Sequence, residues 1–193
     1  QSPDVDSFAA PLEVRVGVTE HIEVHFEGVA YTWVEGDEGL PDFEIGGKAN
    51  LYADSIFSAG VSGGVTVPLG FGDVASDGDY LLAAAGLVDV TLTPAVSLSV
   101  NIGFEQLLSD RGDGNRIPLG AALSFALGDI GLFIDGSRGS ELSGDAALPT
   151  TTSFGIGGSY LLTDTVLLDT FVRRVASDEL EGFVGGAGIA VVL

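Results

Sequence analysis

Cysteine and methionine are both absent from this 193-residue chain. No disulfide framework and no thiolate metal site can therefore be built. Lysine and arginine together number 7 against 28 Asp and Glu, a formal net charge of −21. Such a chain repels nucleic-acid phosphates and offers no polybasic contact to anionic lipid. It suits exposed acidic loops, a high-salt (halophilic) habitat or a cation-attracting pore mouth. Also missing is any apolar run of about 18 residues, so no transmembrane helix is available. Residues 1–9 lack a charged segment followed by an apolar one, so any signal peptide is expected to have been removed already.

What is present is apolar content without continuity. Hydrophobic residues make up 46% and mean hydropathy is +0.41. Glycine is abundant, with 29 copies. Short polar turns recur at Thr19-Glu20-His21, Ala53-Asp54-Ser55, Thr93-Pro94, Gly128-Asp129 and Thr163-Asp164, about 35 residues apart. Each is flanked by two alternating segments of about ten residues, and Gly-, Asp- and Ser-rich stretches separate the pairs. Two strands, a tight turn and a loose loop, repeated, make an up-and-down antiparallel β-barrel in a single domain spanning 1–193, with 1–9 an extended leading segment.

Strand faces have period two, so parity sorts the residues. Val96, Leu98, Val100, Ile102 and Phe104 oppose Ser97, Ser99, Asn101, Gly103 and Glu105. Leu119, Ala121, Leu123 and Phe125 oppose Gly120, Ala122 and Ser124. Val14, Val16 and Val18 oppose Glu13, Arg15 and Gly17, and after the turn Ile22, Val24 and Phe26 oppose Glu23, His25 and Glu27. A soluble ligand-binding barrel of lipocalin type turns its apolar face inward, whereas a membrane barrel turns it outward. Two features favour the membrane barrel. The polar face is dominated by Gly, Ser, Ala and acids, which fit a crowded lumen. Arg15, Lys48 and Arg173 share parity with the acids Glu13, Glu44 and Asp169, as a neutralised interior requires.

The alternation predicts strands near 10–18, 21–34, 43–52, 56–68, 79–92, 95–107, 117–127, 130–138, 151–162, 165–175 and 182–193. That is about eleven, whereas single-chain bacterial barrels close with an even number. The expectation is therefore a barrel of twelve, its remaining strand lying upstream or donated by a neighbouring subunit. The last segment, with Phe183, Ala187, Ile189, Val191 and Leu193 on one face, is similar to the C-terminal strand of outer-membrane proteins.

Pro11, Arg15, Gly17, Val18, Thr19, Glu20, Ile22 and Glu23 fit the pattern P-x-x-x-R-x-G-(L/V)-T-(D/E)-x-(I/L)-E. With Asp42-Phe43-Glu44-Ile45-Gly46-Gly47-Lys48, Val67-Pro68-Leu69-Gly70 and Tyr160-Leu161-Leu162-Thr163-Asp164, the chain resembles the phenol-degradation meta-pathway family of outer-membrane β-barrel transporters. The resemblance covers nearly the whole chain and rests on turn and polar-face residues. It implies one further strand before Pro11, residence in the outer membrane of a Gram-negative-type bacterium, and a transport role.

The residues expected to line the lumen are Glu13, Arg15, Glu23, His25, Glu27, Glu44, Lys48, Asp89, Glu105, Asp135, Asp169 and Arg173. They read either as a charged constriction that selects solutes or as a salt-bridged filling that holds a narrow barrel rigid. Acids outnumber bases among them, so permeant preference leans toward cations. Two histidines are too few for a zinc site without carboxylates, and no catalytic role is expected. Two Gly-Asp loops, residues 72–79 and 110–115, do not match EF-hand spacing and read as turns. Tyr31, Trp33, Tyr52, Tyr80 and Tyr160 lie near strand ends, where interfacial aromatics belong. The function expected is an outer-membrane, porin-like channel for small hydrophobic or cationic solutes, without a cofactor and in contact with outer-membrane lipid. The alternatives are a structural barrel that forms homo-oligomers through strand exchange and a soluble ligand-binding barrel.

Overall fold

The computed structural model describes residues 7–34, 37–40, 42–72, 78–110, 112–144, 148, 150–177 and 181–191; for 7–13, 29–34, 37, 38, 71, 72, 143, 144, 190 and 191 it describes the backbone. The order is β1 (Ser7–Gly17), β2 (Ile22–Val34), β3 (Asp37–Leu40), β4 (Phe43–Ala53), β5 (Phe57–Val67), β6 (Phe71–Gly72), β7 (Tyr80–Thr93), β8 (Val96–Leu108), β9 (Gly114–Leu127), β10 (Ile130–Gly144), β11 (Thr151–Thr163), β12 (Val166–Ser177) and β13 (Glu181–Val191). All belong to one sheet, and every pairing is antiparallel. The eleven long strands meander in chain order, and the short β3 and β6 extend the ladder beyond β2 and β4.

Five of the connections are tight, and the sequence shows why. Thr19 Oγ1 accepts from the amides of His21 and Ile22, each at 3.1 Å. Asp54 Oδ1 accepts from Ile56 at 2.7 Å and Phe57 at 2.8 Å. Thr93 and Thr163 accept from the amides of Ala95 and Thr165. The remaining turn uses Gly128 at φ 66°, a conformation that costs a glycine little. A side-chain oxygen that replaces a missing backbone partner is what Asp and Thr supply at turns. Register shifts sit just before three of these turns, at Asn50/Tyr52, Thr91/Thr93 and Leu161/Thr163. The first of them turns Tyr52 to the apolar face, opposite Ala59.

No apolar core exists among the described residues. The only buried positions are Gly28, Gly114, Gly120, Gly139 and Gly155. Large apolar side chains are exposed instead, up to 77% for Phe183 and 71% for Ile189. Val100, Ile102 and Phe104 are exposed on one face, and Ser99, Gly103 and Glu105 share the other. A water-soluble barrel of this size buries an apolar interior. This sheet does the reverse, as a transmembrane β-barrel does. The soluble-barrel alternative falls on that observation.

β1 and β13 both run from the long-loop end to the tight-turn end, so the two edges of the sheet are parallel to one another. Among the described residues β1 pairs only with β2 and β13 only with β12. One strand of opposite direction between them would make the ladder antiparallel throughout. β1 begins at Ser7, earlier than the alternation indicates, because residues 7–10 pair with 31–34 beyond a bulge at Ala10/Pro11. β9 and β10 likewise overrun their expected ends, joining 114–116 to 141–144. Polar residues there carry no alternating signal.

Val100→Arg, at an apolar-face position in mid-strand, is expected to cost about 2–4 kcal/mol in lipid, while Asn101→Arg on the other face costs well under half of that. Equal losses in urea unfolding from vesicles would reverse the face assignment. A second expectation concerns pH. The amides of Ile56 and then Phe57, followed by the Tyr52 hydroxyl, hold the Asp54 carboxyl below the usual aspartate range. A depressed folded-state value means that the stabilisation is complete at neutral pH, above the unfolded value, and is lost as pH falls through the folded one. The protection of the Ile56 and Phe57 amides, taken against the intrinsic exchange rate at each pH, is therefore expected to fall below about pH 4 in the wild type, whereas in Asp54→Ala it is low at every pH.

Candidate functional site in the barrel lumen

The backbone register sets polar-face residues of successive strands side by side. One such row runs Arg15, His25, Gly46, Gly64, Ala83, Glu105, Arg116 and Glu141. His25 lies across Gly46 to reach Glu44, with Nε2 and Oε1 3.2 Å apart, and Glu44 in turn lies across Gly64. At the far side of the row the Arg116 guanidinium clasps Glu105, Nε donating to Oε2 at 2.8 Å. Between the two pairs is a hollow of about 100 Å³ floored by Gly64, Ala83 and Ala85.

A second row runs Asp89, Ser99, Ala122, Asp135, Gly155 and Arg173. Asp89 accepts from Ser58 at 3.2 Å and from Ser99 at 2.5 Å, so hydroxyls rather than a base satisfy it. Arg173 spans β11 to reach Asp135, Nη2 donating to Oδ2 at 2.5 Å. That reach needs Gly155 beneath it, because a Cβ there would come within 2.7 Å of Asp135 Oδ1 and 3.3 Å of Arg173 Nε. The pair thus meets over an intervening strand on the polar face of the sheet. The next row is Phe133, Gly157, Phe171 and Gly186, each ring resting on the following glycine. The Arg173 guanidinium stands 5.6 Å from the centre of the Phe171 ring. At the tight-turn end Phe133 joins Thr91, Ser97, Ser124 and Ser159 around an open cleft of about 410 Å³.

In register, the described residues of the expected lumen set fall on the polar face of the sheet, and their pairing differs from expectation. Arg173 takes Asp135 rather than Asp169, which lies four residues along the same strand and extends over Gly188. Arg15 approaches Glu23 at 4.0 Å. Lys48 stands beside Glu23 in register and forms no ion pair among the described residues. Glu27 stands opposite Glu44, and Glu13 opposite Glu27, though the Glu13 side chain lies outside the described residues. So do the side chains of Tyr31 and Trp33, most of the loop at 72–79, Arg111 and Leu193. Described acids on this face are Glu23, Glu27, Glu44, Asp89, Glu105, Asp135, Glu141 and Asp169, against Arg15, Lys48, Arg116 and Arg173. The excess is acidic.

Arg116 lies outside the alternating stretch 117–127, so parity alone does not mark it as a polar-face residue. Phe133 and Phe171 lie in mid-strand rather than at the strand ends where interfacial aromatics belong, and the signal that marks them is a charged residue of their own parity two positions on, Asp135 and Arg173. Gly60, Ser62 and Gly64 carry the G-x-S-x-G spacing, yet Ser62 lies inside an extended strand with no following helix, and no hydrogen bond joins it to His25 among the described residues. The described residues hold no cluster of metal-binding side chains.

Residues 9–193 match the family model described as "Putative MetA-pathway of phenol degradation". The chain belongs to this family. No curated protein matches the sequence. Solved outer-membrane structures share the fold. The NanC porin superposes with a TM-score of 0.72 over 97% of this chain and 94% of its own, at 10% identity. The outer-membrane channel of the group COG4313 from Pseudomonas putida F1 gives 0.71 over 94% and 82%, at 13% identity. The KdgM porin gives 0.60 over 98% and 96%, at 13% identity. These likenesses establish a porin-type barrel, and the outward apolar surface of this family member places it in the outer membrane. Two of the matched motifs meet in space, where Gly70 N donates to Asp42 Oδ1 at 2.9 Å at the long-loop end of β4 and β5.

Gly155→Ala is expected to force the Asp135–Arg173 pair apart and to cost about 1–3 kcal/mol. In an Asp135→Ala/Arg173→Ala background the same change should cost little. Equal penalties in both backgrounds, read by thermal unfolding in detergent, would show that the glycine serves another purpose.

Proposed function

We propose that the protein is a diffusion channel whose lumen is lined by Glu23, His25, Glu44, Lys48, Asp89, Glu105, Asp135, Asp169 and Arg173, with Glu13, Arg15 and Glu27 towards the open edge. Its solutes are small, favouring cations and uncharged ring compounds, and no catalytic step is assigned to it. The observation that carries this reading is the composition of the inner face. Glycine and alanine floor it, acids exceed bases on it, and no buried apolar core fills the space among the described residues. Uncompensated carboxylates in a confined, partly desolvated path lower the energy of a passing cation and raise that of an anion. Phe133 and Phe171, whose rings reach over Gly157 and Gly186 on the polar face, supply aromatic surface for contact with a planar solute. The family's description is consistent with such a solute.

Reconstituted in planar bilayers, the channel is expected to prefer K⁺ over Cl⁻ by several-fold, and Asp89→Asn/Asp169→Asn to bring that ratio toward one. In a vesicle flux assay, phenol should enter faster than cyclohexanol through the wild type and at a similar rate through Phe133→Ala/Phe171→Ala. A barrel that folds yet conducts neither ions nor either alcohol would leave the rigid, side-chain-filled reading in its place.

A further inference from the structure

Charge is nearly absent from the outward face. Among strand residues whose side chains are described, the charged ones of outward parity are Arg138, Arg174 and Glu181, and all three lie in the long-loop half of β10, β12 and β13. The other described cations, Arg15, Lys48, Arg116 and Arg173, face inward. In a chain of net charge −21, two of the 7 cations are thus reserved for one patch of outer wall.

Their level is matched. Arg138 is eight residues beyond Ile130, where β10 starts, and Arg174 eight beyond Val166, where β12 starts. Beneath them the outward positions are Ile130, Leu132, Ile134 and Gly136 on one strand and Val166, Leu168, Thr170 and Val172 on the other. Eight residues of tilted strand rise about 20 Å, close to the full height of the apolar band of an outer-membrane barrel. With the long loops outward, both guanidinium groups stand at the border between acyl chains and head groups of the outer leaflet. Thr152 on β11 is in register with Arg138, while Phe154 and Phe183 flank Arg174 in its own row, 61% and 77% exposed. Two strand spacings and two residues separate the arginine backbones by about 12 Å.

We propose that Arg138, Arg174 and Thr152 seat the phosphate groups of a phosphorylated glycolipid of the outer leaflet, whose acyl chains run down over Phe154 and Phe183. The proposal rests on the outer-membrane placement of the barrel with its long loops outward. Guanidinium groups bind phosphate through paired, charge-assisted hydrogen bonds that a low-dielectric border strengthens. Arg174 donates Nε to Glu181 at 3.1 Å yet keeps 57% of its side chain exposed. Arg138 forms no ion pair among the described residues, so the described charges of the patch, two guanidinium groups against Glu181, sum to a net positive one. Elsewhere an acidic protein repels an anionic leaflet; here it offers a fixed contact.

The test uses the folded full chain in detergent, with bis-phosphorylated lipid A and its enzymatically dephosphorylated form as probes. Native mass spectrometry and thermal unfolding should show the phosphorylated lipid retained and stabilising, and Arg138→Gln/Arg174→Gln weakening it at least tenfold with ion conductance unchanged. Arg138→Lys/Arg174→Lys should recover part of the binding, and EDTA should leave the wild-type complex intact. Equal binding of the dephosphorylated lipid would overturn the proposal. So would a complex that EDTA dissolves but the glutamine pair leaves untouched, since metal-bridged acidic loops would then be the contact. Displacement by inorganic phosphate at matched concentration would reduce the patch to a simple anion site and equally refute a lipid seat. Because conductance is read on the same variants, failure here is separable from failure of the channel reading.

Discussion

Everything in this barrel depends on the inter-strand hydrogen-bond ladder. A soluble domain of 193 residues is held chiefly by a buried apolar core. Here the described residues bury no side chain at all, only glycines. In hydrocarbon an unpaired amide or carbonyl costs several kcal/mol, so the ladder must be continuous and its edges answered. Tight turns capped by Thr19, Asp54, Thr93 and Thr163 fix its register, and the lipid-facing apolar side chains need only be apolar. Precise packing falls to the inner face, where side chains must fold over neighbouring strands.

That division explains what the sequence reveals and what it withholds. Face assignment was legible because it depends only on parity, and parity survives any error in strand ends. Val96 to Phe104 show it, and so do Val14 and Val16, both exposed on the apolar face. Partner choice on the inner face was not legible. Arg173 has two acids of its parity within reach of sequence reasoning, and the decision between them belongs to Gly155 on another strand. Distance along the chain, 38 residues from Asp135, says nothing about it. Arg116 shows the complementary failure. It sits where β9 leaves the alternating stretch, so a boundary drawn from hydropathy excluded a residue that the ladder includes.

The acidic excess has two different addresses. Some carboxylates lie on the polar face of the sheet, beside the described bases and hydroxyls; others belong to the polar segments between strands. The few cations are spent sparingly: four inside beside acids, two at one outer corner. Such economy keeps the wall neutral where it meets acyl chains without neutralising the bore.

The glycine-bedded ion pairs also have a consequence for the electric field inside the barrel. Arg173 reaches Asp135 across β11, and Arg116 reaches Glu105 on the adjoining strand, so both dipoles run across the strands rather than along them. A side chain lying tangentially subtracts little from the cross-section. Because the strands of a barrel are tilted, a dipole laid across them is inclined to the barrel axis rather than set along it. Ion pairs laid across the sheet in this way tie neighbouring strands together through their side chains as well as their backbones.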